Sequence, residues 1–269
     1  MRPTDTNHTN FQRTAFSLVE LSIVLVILGL LTGGILAGQS LIRAAELRAV
    51  STEFNRYYAA LHSFRDKYFA LPGDMTNATS FWGDQATGTS ACASAATADG
   101  TPGTCNGDGN GSIGAGAYSI GEALRAWQHL AMAGLIEGSY TGYIAATNVT
   151  IGTEVPRSKL GNAGWALFSR NGSASNMVWQ RNGNFFLIAT SGSGSSTGIW
   201  SDVIKTEEAW NIDTKMDDGR PEYGKVMGGS NGGNCTNPTG QEGTATLSNR
   251  EYALTTSGTV CRMWFDVNN

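Results

Sequence analysis

Ala15-Phe16-Ser17-Leu18-Val19-Glu20 leads into an almost unbroken apolar run that ends at Ile42. From Leu21 to Ile42 the run is 22 residues without a charge, and as a helix it spans roughly 30 Å of hydrocarbon. One carboxylate, Glu20, stands at its edge. An ionised side chain at bilayer depth costs about 2.5–3.5 kcal/mol on insertion scales, so Glu20 needs a partner and reads as functional. A secretory signal closes its apolar core with a small-residue cleavage site and polar sequence, whereas here the small residue, Ala15, precedes the core. Cutting after Ala15 would free an amine on Phe16 and leave the hydrophobic helix on the mature chain. Arg2 and Arg13 precede the span, which keeps that end cytoplasmic and places everything after Ile42 outside. Gly29/Gly33 and Gly34/Gly38 form small-xxx-small pairs that allow close helix approach.

These residues resemble the N-terminal signal of type IV pilins and type II secretion pseudopilins, with Ala15 where that family usually carries Gly. The resemblance implies that a prepilin peptidase cuts after Ala15 and methylates the new amine on Phe16, and that Glu20 becomes the fifth residue. It implies a single-pass protein of the bacterial inner membrane, N terminus cytoplasmic and C-terminal domain periplasmic or extracellular. An inner-membrane assembly platform would polymerise such a chain, with other copies or related pilins, into a type IV pilus or a secretion pseudopilus. Pairing the Phe16 amine of one subunit with the Glu20 carboxylate of its neighbour would offset two desolvation penalties and couple assembly to register. The competing reading is a signal anchor that tolerates one acid near its cytoplasmic end.

Beyond Arg43 the helical signal changes period without stopping. Leu47, Val50, Phe54, Tyr57, Leu61, Phe64 and Tyr68 recur at spacings of three and four, separated by Arg48, Glu53, Arg56, Arg65 and Asp66, one apolar stripe that wants a partner. Pro72-Gly73 ends the pattern, so a helix from Phe16 to about Tyr68 would be roughly 80 Å long. The expected organisation is a leader over 1–15, a transmembrane and assembly half over 16–42, an amphipathic half over 43–70, and an extracytoplasmic domain over 71–269. That domain is rich in Gly, Ser, Thr and Asn, with loop excursions expected over Thr87–Ala98, Ser191–Thr197 and Gly228–Gly243. Ser119-Ile120-Gly121-Glu122 reads as a capping box opening a helix through Met132, with Gly134 as its stop and Leu124, Trp127, Leu130 and Ala131 facing inward. Trp165–Phe168, Met177–Gln180 and Phe185–Thr190 read as strands separated by the turns Asn171-Gly172 and Asn182-Gly183. Ser201–Trp210 reads as a helix and Val260–Val267 as a last strand. The fold class is α+β: a long N-terminal helix packed on an antiparallel sheet with long loops, as the pilin resemblance also implies.

Cys92, Cys105, Cys235 and Cys261 all fall on the side expected to be outside, where disulfides are the default. Four cysteines allow three pairings. The nearest-neighbour scheme, Cys92 with Cys105 and Cys235 with Cys261, closes loops within the least structured regions, and its second pair resembles the C-terminal disulfide loop of many pilins.

Asn106-Gly107-Asp108-Gly109-Asn110-Gly111-Ser112-Ile113 places oxygen-bearing side chains at alternating positions, with Gly111 at the sharp turn. This matches the first eight places of an EF-hand-type calcium loop and makes Asn106, Asp108, Asn110 and Ser112 candidate Ca2+ ligands. Ala117 stands where that loop needs its bidentate Glu, and Glu122 comes five residues later; an ion-free Gly/Asn/Asp turn is the competing reading. Asp213, Asp217 and Asp218 form a second acidic cluster before Gly219, read as a solvated turn with an ion site as the alternative.

Charged residues make up 15% of the chain and the net charge is −4, with no basic run to attract nucleic acid. His8, His62 and His129 have no metal-ligand spacing, and no G-x-S-x-G elbow or P-loop occurs. No enzymatic activity and no required cofactor are expected. The tryptophans read as core rather than as a carbohydrate platform. The expected function is a filament subunit; a minor or tip pilin, or a calcium-dependent surface-binding module acting in adhesion, is the alternative.

Overall fold

A computed structural model of the chain describes residues 17–84, 103–114, 119–143, 149–170, 181–191, 198–230, 232–238 and 249–268. Helix α1 runs over Leu18–Tyr68, and the chain divides into two compact units, Met1–Ala45 and Glu46–Asn269. In the first unit, α1 is apolar on every side. Its large hydrophobic side chains from Leu18 to Ile42 are 50 to 85% exposed, since nothing else in the described chain packs on them.

The second unit contains the rest of α1, a short helix α2 (Thr79–Trp82), α3 (Ser119–Met132) and α4 (Thr206–Met216). Its strands are β1 (Gly164–Arg170), β2 (Gly183–Ser191), β3 (Ile199–Ser201), β4 (Ile204–Lys205), β5 (Val226–Gly229), β6 (Thr236–Asn237), β7 (Glu251–Tyr252) and β8 (Thr259–Asp266). Six form one antiparallel sheet: β1 pairs with β2, β2 with β8 and β3, and β8 with β4 and β5. A two-stranded ribbon, β6 with β7, stands apart. The architecture is α+β, a long N-terminal apolar helix and an antiparallel sheet.

The stripe read at three-and-four spacing is the face that meets this sheet. Val50, Phe54, Tyr57, Leu61 and Phe64 are buried, and Leu47 and Tyr68 pack partly against them. Register decides which strand residues they meet: Leu167 lies opposite Phe186, and Phe186 opposite Phe265, so alternate residues of three strands share one face. Phe54 stacks on Phe265 with ring centroids 4.8 Å apart. Tyr57 meets Trp127 of α3 at 5.0 Å and Trp165 of β1 at 5.8 Å, both edge-on.

One residue of the expected polar separators is buried instead. Glu53 is 8% exposed. Its Oε2 accepts hydrogen bonds from the Ser158 hydroxyl at 2.6 Å and the Trp165 indole N–H at 2.8 Å, and its Oε1 accepts from the Lys159 N–H at 2.9 Å. Heptad-like spacing could not reveal this, because the three donors come from a segment more than 100 residues away.

Helix α3 spans the expected residues, and its end is a Schellman motif: Gly134 has φ +71°, its N–H donates to Ala131 O, and the Leu135 N–H donates to Leu130 O. The Ser119 side chain of the expected capping box lies outside the described residues. The helix begins at Ser119, and the Glu122 carboxylate accepts from the Asp108 and Gly114 amides. The helix expected over Ser201–Trp210 starts at Thr206, because Ile199–Ser201 and Ile204–Lys205 are drawn into strands β3 and β4. At that start Glu208 accepts the Lys205 N–H at 3.1 Å, a carboxylate capping the first turn. Of the expected meander, Trp165–Phe168 and Phe185–Thr190 fall in β1 and β2, which pair directly. Met177–Gln180 and the Asn171-Gly172 turn lie outside the described residues. Val260–Val267 corresponds to β8.

Glu53→Ala strands the buried Ser158 hydroxyl and Trp165 indole N–H and the part-buried Lys159 amide at once, so we predict a loss of about 3 kcal/mol in stability. The check is tryptophan-fluorescence denaturation of the full chain in detergent, where an unchanged midpoint would show that Glu53 contributes nothing.

Candidate functional site

Three groups of residues bear on function: the start of α1, the loop 103–114, and the acidic turn after α4. At the start of α1, Ala15 and Phe16 lie outside the described residues, and Glu20 is the acid of the first turn. The Ser17 N–H donates to Glu20 Oε2 at 2.9 Å, and the Val19 N–H donates to the Ser17 hydroxyl at 3.3 Å. Downstream, a Cβ added at Gly29, Gly33, Gly34 or Gly38 would meet nothing within 4 Å, so these glycines leave shallow surfaces that no described residue fills. By length and composition α1 is apolar enough to cross a membrane.

The loop 103–114 is wrapped by carboxylates from three separate parts of the chain. Asp74, just after the Pro72-Gly73 break, accepts the Asn110 N–H on Oδ1 at 3.0 Å and the Gly111 N–H on Oδ2 at 2.9 Å. Glu122 of α3 accepts the Asp108 N–H at 3.1 Å and the Gly114 N–H at 2.9 Å. Asp108 Oδ1 accepts the Asn110 N–H at 3.0 Å. The chain is tight here: a Cβ on Gly107 would sit 2.4 Å from the Gly73 carbonyl oxygen, so only glycine fits.

Of the expected loop ligands, Asp108 converges with acidic side chains from elsewhere in the chain. Asn106 Oδ1 turns away to accept the Thr79 N–H of α2 at 2.9 Å, and Asn110 Oδ1 accepts the Ser112 N–H at 2.7 Å. The group that does converge is Asp74, Asp108 and Glu122, with one carboxylate oxygen from each lying within 4.8 Å of the others. Calcium takes oxygen ligands at about 2.3–2.6 Å, so oxygens across it lie up to about 5 Å apart and this span suits it. Glu122 is fully buried and Asp74 nearly so. Asp74 also lines an open groove of about 830 Å³ whose walls include Leu61, Arg65, Phe69 and Val267.

Burial pushes the Glu122 carboxyl up to about 7 and raises Asp74 as well, although backbone amides partly offset both shifts. His129 moves the other way, with burial lowering it to about 3. Its Nδ1 accepts the Gly73 N–H at 3.0 Å, and its Nε2 lies 2.8 Å from the Thr104 hydroxyl. That hydroxyl donates to Gln128 Oε1 at 2.7 Å, so Nε2 carries the proton that His129 gives to Thr104. The histidine is a neutral strut holding the Gly73 turn.

Asp213, Asp217 and Asp218 also converge within 4.8 Å, and each has internal donors. Asp213 is buried, accepting the Tyr252 hydroxyl at 2.7 Å and the Gly219 N–H at 3.0 Å, and burial lifts it to about 7. Asp217 accepts the Val226 N–H at 3.0 Å and the Lys225 N–H, and Asp218 accepts the Arg220 N–H at 2.9 Å. The expected solvated turn holds for Asp217 and Asp218, which are partly buried or exposed, and fails for Asp213, whose hydrogen bond to β7 takes it into the core. Cys235 and Cys261 form a disulfide with Cα atoms 5.0 Å apart; Cys105 is also disulfide-bonded, and Cys92 lies outside the described residues. Trp127, Trp165 and Trp264 are fully buried, as the core reading expects, Trp82 and Trp200 are half-buried, and Trp210 is exposed.

The signs of these shifts predict an unusual pH profile. Glu122 and Asp213, raised to about 7 from 4.5 and 3.8, stabilise the fold while protonated, and lose that contribution as pH rises through 7. His129, lowered from 6.5 to about 3, contributes fully above 6.5 and loses its contribution as pH falls toward 3. Two protons outweigh one, so without divalent cations the thermal midpoint should fall between about pH 4.5 and 7. Calcium should restore it near neutrality and have little effect in the acidic range; a midpoint indifferent to calcium and to chelator at both would remove the metal assignment. No family model, no curated protein and no solved structure matches the chain, and its residues alone carry the functional reading.

Proposed function

We propose that this chain is a structural filament subunit, a pilin or pseudopilin, held in the bacterial inner membrane with its N terminus cytoplasmic and its large domain outside. Prepilin peptidase cuts it after Ala15 and methylates Phe16, and the assembly platform docks it beside other copies or related subunits. The observation that carries this reading is one helix with two chemistries. Residues 21–42 are apolar, charge-free and exposed on every side, and the same helix then presents a stripe that packs on an antiparallel sheet. Exposed apolar surface of that extent marks a membrane or an assembly interface. Glu20 at its edge supplies the charge that a neighbour's Phe16 amine would neutralise.

A second reading, a calcium-dependent surface-binding module or a minor or tip subunit acting in adhesion, draws on the convergence of Asp74, Asp108 and Glu122. It differs in what Glu20 must do, because a monomeric binding module on an anchor has no use for that charge.

The test compares sheared surface filaments with washed membranes by mass spectrometry, scoring a methylated peptide that begins at Phe16. Glu20→Gln should leave processing intact and lower recovery in the sheared fraction, or incorporation into a pseudopilus, by about tenfold or more, since an unpaired amine then stays in apolar surroundings. An unprocessed N terminus in both fractions would overturn the proposal.

A further inference from the structure

At the start of α1, the Glu20 carboxylate accepts the Ser17 N–H and the Ser17 hydroxyl accepts the Val19 N–H, so Ser17 is the N-cap and Glu20 the third helical residue. The Leu21 N–H donates to the Ser17 carbonyl at 3.1 Å, the first bond of the helix. A carboxylate here is favoured by the unsatisfied amides and by the helix dipole. Only Oε2 of Glu20 is taken up by the cap. Oε1 accepts no hydrogen bond among the described residues and keeps both lone pairs for an outside donor.

We propose that Ser17 is a positioning residue for subunit docking: its backbone N–H fixes Glu20 Oε2, leaving Oε1 in one orientation to accept a neighbouring subunit's amine. The proposal rests on the filament reading. The cap does two things for docking. It partly satisfies the carboxylate before any neighbour arrives, lowering the cost of holding Glu20 at the membrane edge. It also orders a side chain that would otherwise sample many rotamers, so less freedom is lost when the amine binds. Glu20 therefore has an intrachain role and an interchain role, and alanine removes both together.

Glutamine separates them, because Glu20→Gln keeps an acceptor for the Ser17 N–H and drops the charge. The first measurement is hydrogen exchange at the Ser17 amide by NMR, on the full unprocessed chain in detergent micelles. Exchange should be about tenfold or more slower in the natural chain and in Glu20→Gln than in Glu20→Ala. Equal rates in the natural chain and Glu20→Ala would overturn the cap. The second measurement compares Ser17→Ala, which keeps the donor amide, with Ser17→Pro, which lacks it, at matched Phe16 processing. Filament recovery should be several-fold lower for Ser17→Pro, and equal recovery would overturn the positioning role. Undiminished filaments from Glu20→Ala would sink the filament reading and the docking role with it, while the exchange rates decide the cap independently.

Discussion

Glu53 is the carboxylate on which the outer half of α1 is fixed. Apolar contacts between a helix and a sheet are non-directional, and the Phe54, Tyr57 and Leu61 stripe alone would tolerate sliding by a turn. A carboxylate removed from water tolerates none, because it must keep its donors. With Ser158, Lys159 and Trp165 all bonded to Glu53, a rotation of one residue would swing the side chain by about 100° and withdraw it from all three. Trp165 serves twice, packing its ring on Tyr57 and Phe265 while its N–H meets Glu53. The polar contact sets the register in which the aromatic cluster closes.

The same device recurs away from α1. Asp74 and Glu122 hold the loop 103–114 by its backbone amides, and Asp213 and Asp217 hold the turn that leads into β5. A buried carboxyl can do this while neutral, which is what burial favours at Glu122 and Asp213. The loop therefore has a self-sufficient closed form in which protons do the work of a cation. Once those carboxyls ionise, Asp74, Asp108 and Glu122 place three negative charges within one coordination sphere, and like charges at that spacing repel strongly unless a counter-ion enters. The charge this loop presents is thus a matter of protonation as much as of motif.

Local signals in the sequence were faithful where the physics is local. The stripe from Leu47 to Tyr68, the break at Pro72-Gly73, α3 with its Gly134 stop, and β8 are all set by short-range spacing and backbone preference. What escaped was set at long range. Glu53 looked like a solvent-facing acid because its donors lie more than 100 residues on. Glu122 looked like a capping residue, and as a ligand it seemed five places too late, because nothing nearby reveals that residues 108 and 114 fold back over it. Asp74 carried no signal at all, since only the tertiary fold brings it to Asn110 and Gly111. The helix before Trp210 starts later than its local signal indicates because strand pairing to β2 and β8 claims Ile199–Ser201 and Ile204–Lys205. Of the motif's alternating oxygens, that of Asp108 comes together with Asp74 and Glu122, while those of Asn106 and Asn110 satisfy backbone amides.

That one helix can carry both halves of the chain follows from where an α-helix keeps its hydrogen bonds. Each interior amide is satisfied within the segment, so the backbone is indifferent to whether its surroundings are lipid, like helices or an aromatic core, and only the side chains must change. They change over a few residues: the charge-free run ends at Ile42, Arg43, Glu46 and Arg48 follow, and Val50 is already buried. A strand could not make that passage without exposing its ladder, and a loop could not enter hydrocarbon at all. Two of the glutamates on α1, Glu20 and Glu53, mark its two surroundings. Glu53 is complete within the chain, with both oxygens bonded, whereas Glu20 has one oxygen held by Ser17 and the other accepting nothing among the described residues. A carboxylate half satisfied at the edge of an apolar span is stable there only if something outside the chain completes it.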